Sequence, residues 1–87
     1  MTQLSAVPRI LCVDDEPLNL QLYQGMLSQQ YELITAANGQ QALELLNDCN
    51  PDLMILDLMM PVMDGYEVLR QVRQDSRYDL LPVLVVT

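Results

Sequence analysis

Three aspartates sit where apolar runs stop. Asp14 and Asp15 close the run RILCV (Arg9 to Val13), and Asp57 closes the run LMIL (Leu53 to Leu56). A further run, PVLVVT, spans Pro82 to Thr87 and ends in a hydroxyl. Carboxylates gathered in one place repel each other and raise each other's pKa values unless a cation joins them. Hard oxygen donors of this kind suit Mg²⁺, which takes one or two carboxylates and keeps several waters. A cation held there offsets the charge of an incoming phosphoryl group and polarises it. A carboxylate beside it can then act as nucleophile and form an acyl phosphate. The hydroxyl of Thr87 could hydrogen-bond a phosphoryl oxygen.

Taken singly, each signal has a plainer meaning. An acidic pair after a strand most often caps the next helix. Pro61 and the Asp64-Gly65 pair are ordinary loop and cap residues. Thr87 is a β-branched residue of the kind strands favour. The Met59, Met60 and Met63 group reads as gap-filling or loop packing rather than a ligand set. Asp57 is less ordinary, because a single carboxylate between LMIL and LMM is costly to bury unpaired. The chemistry becomes the better reading only if the elements bring these residues to one edge.

The elements do so. Arg9 to Val13, Tyr31 to Ala37, Leu53 to Leu56 and Pro82 to Thr87 read as four strands, apolar enough to be buried on both faces. Pro17 suits a helix first turn. Leu20, Tyr23 and Leu27 follow it at helical spacing, with Leu22 and Met26 widening the stripe. Asn38-Gly39-Gln40-Gln41 resembles a capping box, and Ala42, Leu45, Leu46 and Cys49 continue as an amphipathic helix. Asn50-Pro51-Asp52 punctuates the chain. Asp64-Gly65-Tyr66-Glu67 is a second box, opening a helix with Gly65, Val68, Leu69 and Val72 on one side. Asp75 to Leu81 reads as a polar connection, and Met1 to Val7 as a loose tail. The order β-α-β-α-β-α-β specifies a parallel sheet with right-handed crossovers. In such sheets ligands sit at the carboxyl ends of strands, where strand order reverses. If the first and third strands are neighbours, Asp14, Asp15 and Asp57 share one crevice.

Composition narrows the chemistry. The 87 residues fit one domain at most, and 51% are apolar, which argues against disorder. There are 12 acidic and 4 basic residues, all four arginine, for a net charge of −8. That surface repels nucleic acid and anionic lipid. The absence of histidine removes the usual general base and the usual metal nitrogen ligand. Cys12 and Cys49 do not make a disulfide scaffold and read as reduced, buried thiols. No segment has the pattern of a secretion signal or a membrane span, so the expected location is cytoplasmic.

With these residues in place, the sequence resembles the receiver domains of two-component response regulators and hybrid sensor kinases. The resemblance runs from Arg9 to Thr87. It is carried by ILCVDDEP (Ile10 to Pro17), LMILDLMMPVMDG (Leu53 to Gly65) and PVLVVT (Pro82 to Thr87). It implies a flavodoxin-like, doubly wound α/β fold with strand order 2-1-3-4, residues 9–87 forming the receiver domain behind a flexible tail of residues 1–8. It implies Asp57 as the phosphorylated aspartate, with Asp14, Asp15 and the backbone carbonyl of Met59 as Mg²⁺ ligands, one acid acting through water. Thr87 matches the family's switch hydroxyl. Pro61 and Gly65 shape the loop after the active strand, and Gly65 packs closely on its helix's core side. Asn19 is common in this subgroup and receives no role. The phosphoryl donor would be a histidine kinase or phosphotransfer protein, and the module would be a signalling acceptor rather than an enzyme.

Against the family pattern, the sequence stops before the expected fifth strand with its lysine, and before the last helices. The fourth strand, VLVV, is therefore expected to be an open apolar edge, and self-association through Pro82 to Thr87 is expected. The alternative function is an interaction-only receiver that binds a partner without phosphorylation. A flavodoxin-like cofactor binder is disfavoured because Asp14-Asp15-Glu16 would repel a phosphate. An aspartyl-phosphate phosphatase would want an acid two residues after the nucleophile, and Met59 stands there.

Overall fold

A computed structural model describes residues 7–86. The strands β1 (Arg9–Val13), β2 (Glu32–Ala36), β3 (Leu53–Asp57) and β4 (Val83–Val86) alternate with the helices α1 (Pro17–Leu27), α2 (Gly39–Cys49) and α3 (Gly65–Gln74). All pairings are parallel and the strand order is β2-β1-β3-β4, as the resemblance implied. The chain moves outward from β1 to β2, then crosses back over β1 to β3. Two right-handed crossovers in opposite directions place their helices on opposite faces of the sheet.

This geometry explains why β1 and β3 are apolar throughout. Successive side chains on a strand point to opposite faces. Ile10, Cys12 and Ile55 meet Leu20, Tyr23 and Leu27 of α1. Leu11, Val13, Met54 and Leu56 meet Ala42 and Leu46 of α2 and Val68 and Val72 of α3. Leu11, Met54 and Leu56 are fully buried. Each such side chain is worth roughly 1.5–3 kcal/mol in burial, so a polar substitution at any of them is severe.

The caps are built from side chains. Asn38 Oδ1 accepts from the Gln41 N–H at 2.8 Å, and Gln41 Oε1 accepts from the Ala37 N–H at 2.7 Å. The box is thus reciprocal, shifted by one residue on its return arm. Asp64 Oδ1 accepts from the Glu67 N–H at 3.0 Å, but Glu67 turns outward to Arg70 and Gln71, so only half of the second box forms. The guanidinium competes successfully for the carboxylate because the bond is charge-assisted. α2 ends at Asn50, whose left-handed φ of 49° an asparagine tolerates.

Some expectations are corrected. Leu22 and Met26 do not widen the core stripe of α1; they are 61% and 69% exposed. α1 rests on the sheet through Leu20, Tyr23 and Leu27 alone, and no neighbouring helix covers its flank among the described residues. The connection from Asp75 to Leu81 is not merely polar. It contains a single 3₁₀ turn, Ser76–Tyr78, capped by Asp75 and tied to α2 through Tyr78 Oη donating to Asn47 Oδ1 at 3.1 Å. Leu81 at its end is buried in the core. Cys12 is buried and Cys49 only partly so; neither is in a disulfide. The methionines also divide: Met60 is buried, Met63 packs against the core, and Met59 is 71% exposed. Val7 is exposed, and the rest of the expected tail, like Thr87, lies outside the described residues apart from Pro8.

Candidate functional site

The reversal of strand order falls between β1 and β3. Val13 pairs with Leu56 at the top of that ladder, so the next residues, Asp14 and Asp57, emerge side by side. One carboxylate oxygen each from Asp14, Asp15 and Asp57 lies within 4.8 Å of the others. The three acids singled out in the sequence therefore do converge, and the sheet register is what brings them together.

They differ in environment. Asp14 is only 2% exposed, and among the described residues it is the one buried charged side chain. Its oxygens are both held: Oδ1 accepts from the Glu16 N–H at 2.9 Å and Oδ2 from Asn19 Nδ2 at 3.0 Å. A buried carboxylate needs such donors, because desolvation otherwise disfavours its charge. Asp15 is exposed and Asp57 partly buried. Asp57 Oδ1 accepts from the Met59 N–H at 3.0 Å. That contact draws the first turn of the following loop back over the strand end. Tyr23, one turn beyond Asn19 on α1, has its phenol pKa raised by burial first and then by the nearby charge of Asp14, Cys12 and Asp57.

The loop from Leu58 to Asp64 closes onto this edge. The Gly65 N–H donates to the Leu58 carbonyl at 3.1 Å. A Cβ on Gly65 would stand 2.6 Å from Leu58 Cα and 2.9 Å from the Asp57 carbonyl carbon, closer than real Cβ contacts occur. The glycine expected for close packing is required by the backbone at the end of β3. Between Pro61 and Gly65 the chain makes a tight γ-turn: the Met63 N–H donates to the Pro61 carbonyl at 2.8 Å, with Val62 at φ 69° and fully exposed. A β-branched residue in that region is strained.

Asn19 is the site residue that sequence reading left without a role. Its signal was present: a polar side chain five residues after Asp14, in the first turn of a helix without charges. Whether that amide would turn to the carboxylate or to water depends on the β1–α1 angle, which spacing does not show. The N–H groups of Glu16 and Met59 were illegible for the same reason.

A cluster of hard oxygen donors, one of them buried and oriented by two hydrogen bonds, fits a small divalent cation. It does not fit a soft metal, since Cys12 points into the α1 face of the core and burial pushes its thiol up to about 11.

A doubly wound sheet alone is common to several signalling and cofactor-binding folds, and comparison with known proteins separates them. The chain belongs to the response regulator receiver domain family, whose family model matches residues 10–87. It is 41% identical over 80 residues to the alkaline phosphatase synthesis transcriptional regulatory protein PhoP of Bacillus subtilis, covering 91% of this chain and 32% of the relative. It is 39% identical over 80 residues to the sensor histidine kinase TmoS of Ectopseudomonas mendocina, covering 92% of this chain and 8% of the relative. The N-terminal domain of a response regulator receiver protein from Methanoculleus marisnigri superposes with a TM-score of 0.89 at 41% identity, covering 94% of this chain and 68% of that one. CheY4 of Vibrio cholerae superposes with a TM-score of 0.87 at 37% identity, covering 92% and 68%. The chain spans a third or less of the length of these two curated relatives. Receiver domains are signalling modules of two-component systems; they interact with histidine kinases or phosphotransfer proteins and generally bind Mg²⁺ at the acidic pocket. Among the described residues, no helix is long and apolar enough to cross a membrane.

Proposed function

We propose that Asp57 accepts a phosphoryl group from a histidine kinase or phosphotransfer protein, with Mg²⁺ held by Asp14, Asp15 and the Met59 backbone carbonyl. The observation that carries this reading is the approach of one oxygen from each aspartate to within 4.8 Å of the others. Asp14 supplies a fixed anionic donor, since two hydrogen bonds prevent its carboxylate from rotating. Asp15 is the exposed acid of the pair, which favours it as the one acting through water. Bound there, Mg²⁺ would supply positive charge against the phosphoryl oxygens.

The chain's own contribution is orientation. The Met59 N–H holds Asp57 Oδ1, and no donor among the described residues reaches Oδ2. Oδ2 is then the attacking atom: its bond to phosphorus forms as the donor's phosphorus–nitrogen bond breaks, and the product is an acyl phosphate. Thr87 is proposed as the switch hydroxyl because it follows Val86, the register partner of Asp57. The module works as an acceptor and relay rather than on an external substrate. Its net charge of −8 disfavours nucleic acid as its own ligand, and a cytoplasmic setting accords with a kinase partner.

The test is an intact-mass measurement after incubation with Mg²⁺ and a small acyl-phosphate donor. One phosphoryl increment is expected, absent without Mg²⁺ and absent in Asp57→Asn. A folded sample that stays unmodified, or an adduct that persists in Asp57→Asn, would overturn the assignment.

A further inference from the structure

Gly39 opens α2, and its own conformation does not call for glycine. No glycine among the described residues has a positive φ. In the first turn of a helix, alanine is the better helix former. What the position requires is closeness. A Cβ at Gly39 would stand 2.9 Å from Met63 Cγ, 2.9 Å from the Met63 carbonyl oxygen and 2.7 Å from Val68 Cγ2. Val68 belongs to α3, but both Met63 atoms belong to the loop that leaves Asp57.

Neither side of this contact is free to recede. The first turn of α2 is fixed by its reciprocal cap, in which Asn38 Oδ1 accepts from the Gln41 N–H and Gln41 Oε1 from the Ala37 N–H. Gly39 itself is buried. The loop is stiff for its length. Met60 is anchored in the core, Pro61 has a fixed φ, and the Met63 N–H donates to the Pro61 carbonyl at 2.8 Å. The Gly65 N–H, donating to the Leu58 carbonyl at 3.1 Å, closes the loop on itself. A loop tied in this way passes a displacement at Met63 back to Met59 instead of absorbing it. Met59 is where such a displacement matters. Its N–H holds Asp57 Oδ1 at 3.0 Å, and its carbonyl is the backbone ligand of the proposed Mg²⁺ site.

We infer, resting on the acceptor role proposed above for Asp57, that Gly39 is a positioning residue for the site. The first turn of α2, bare at this position, seats against Met63 and sets where the loop carries Met59. The role differs from that of Gly65, which meets the end of β3 directly. Gly39 acts through the loop, from a helix that supplies none of the three acids.

Titration calorimetry with Mg²⁺ alone tests this on the parent chain and on variants shown by circular dichroism to be folded. Gly39→Ala should weaken binding roughly three- to tenfold, as mutations that touch no ligand can. Leu46→Ala loosens the far end of the same helix, beside Asn47 and Val72, and should bind Mg²⁺ as the parent does despite its lower stability. Met63→Ala in the Gly39→Ala background removes the flexible side chain that meets the new methyl group. It should recover part of the lost affinity, so that the two changes are not additive. Where Gly39→Ala does not fold, Met63→Ala alone withdraws the loop's side of the same contact and should weaken binding in its place. Parent affinity in the variant that probes the contact, an equal loss in Leu46→Ala, or no recovery in the double variant would overturn the inference and leave the acceptor role of Asp57 standing. A folded parent chain that binds no Mg²⁺ would overturn both.

Discussion

Adding one methyl group at each of the chain's glycines should give opposite results, because their surroundings differ. Gly65→Ala is the severe case. The new Cβ would press on the Asp57 carbonyl oxygen and carbon and on Leu58 Cα, all backbone atoms of β3 and its continuation. Backbone cannot rotate aside like a side chain, so α3 must shift away from β3 or the carbonyl must turn. Leu58 Cα at 2.6 Å would have to recede by most of an ångström to reach ordinary contact. Overpacking of this kind costs about 1–3 kcal/mol and more when the neighbours are rigid. Against it stands only the ~0.4–1 kcal/mol by which alanine restricts the unfolded chain. A net loss of about 2 kcal/mol is expected, from a total of about 4–13 kcal/mol for a chain this size. The melting temperature should fall by roughly 8–16 °C. Gly25→Ala, in the interior of α1 with nothing within 4 Å of its Cβ, should instead gain about 0.5–1 kcal/mol. Gly39→Ala should fall between, since its Cβ meets Val68 Cγ2 at 2.7 Å and Met63 Cγ at 2.9 Å, which can yield, besides the Met63 carbonyl. Urea denaturation followed by circular dichroism ranks the three. A Gly65→Ala midpoint at or above the parent, or a Gly25→Ala loss as large as that of Gly65→Ala, would refute the close-approach argument.

Other expectations follow from the site and the core. Asn19→Ala should cost about 1–2 kcal/mol by removing a donor from a buried carboxylate, and should weaken Mg²⁺ binding about tenfold; titration calorimetry and denaturation check both, and no change in either would remove Asn19 from the site. Val62→Asn should stabilise by about 1 kcal/mol, because asparagine tolerates the positive φ that valine resists; an unchanged urea midpoint would show that the turn is not strained. The Cys12 thiol is raised from 9.0 to about 11 by burial. The unfolded chain therefore loses this proton first, and the contribution is intact below pH 9 and lost as pH rises toward 11 and beyond. The loss should approach about 2–3 kcal/mol, and Cys12→Ala should show a flatter stability decline over that range; identical slopes would count against the assignment.

Much of the fold was legible because parallel strands buried on both faces write continuous apolar runs. RILCV and LMIL could be read as buried strands without knowing what buried them. Asp14, Asp15 and Asp57 were legible as a site because acids ending such runs must emerge at one edge of the sheet. Other features were hidden. Leu22 and Met26 look like core in an apolar helix, and only the seating of α1 on the sheet turned them to the surface. The polar stretch after Asp75 concealed a helical turn, since the contact that ties it to α2, from Tyr78 to Asn47, is tertiary.

The sequence by itself determined the element order, the parallel sheet and the acidic character of the strand ends. Those depend on local pattern and on residue type, which the chain carries wherever it lies. The tertiary structure decided what pairs with what. It set Val13 against Leu56, so that two acids distant in sequence share one crevice. It turned Asn19 toward Asp14, so that the carboxylate at the end of β1 is held by the first turn of α1. Register and hydrogen-bond direction are properties of two segments at once, and a pattern within one segment cannot specify them.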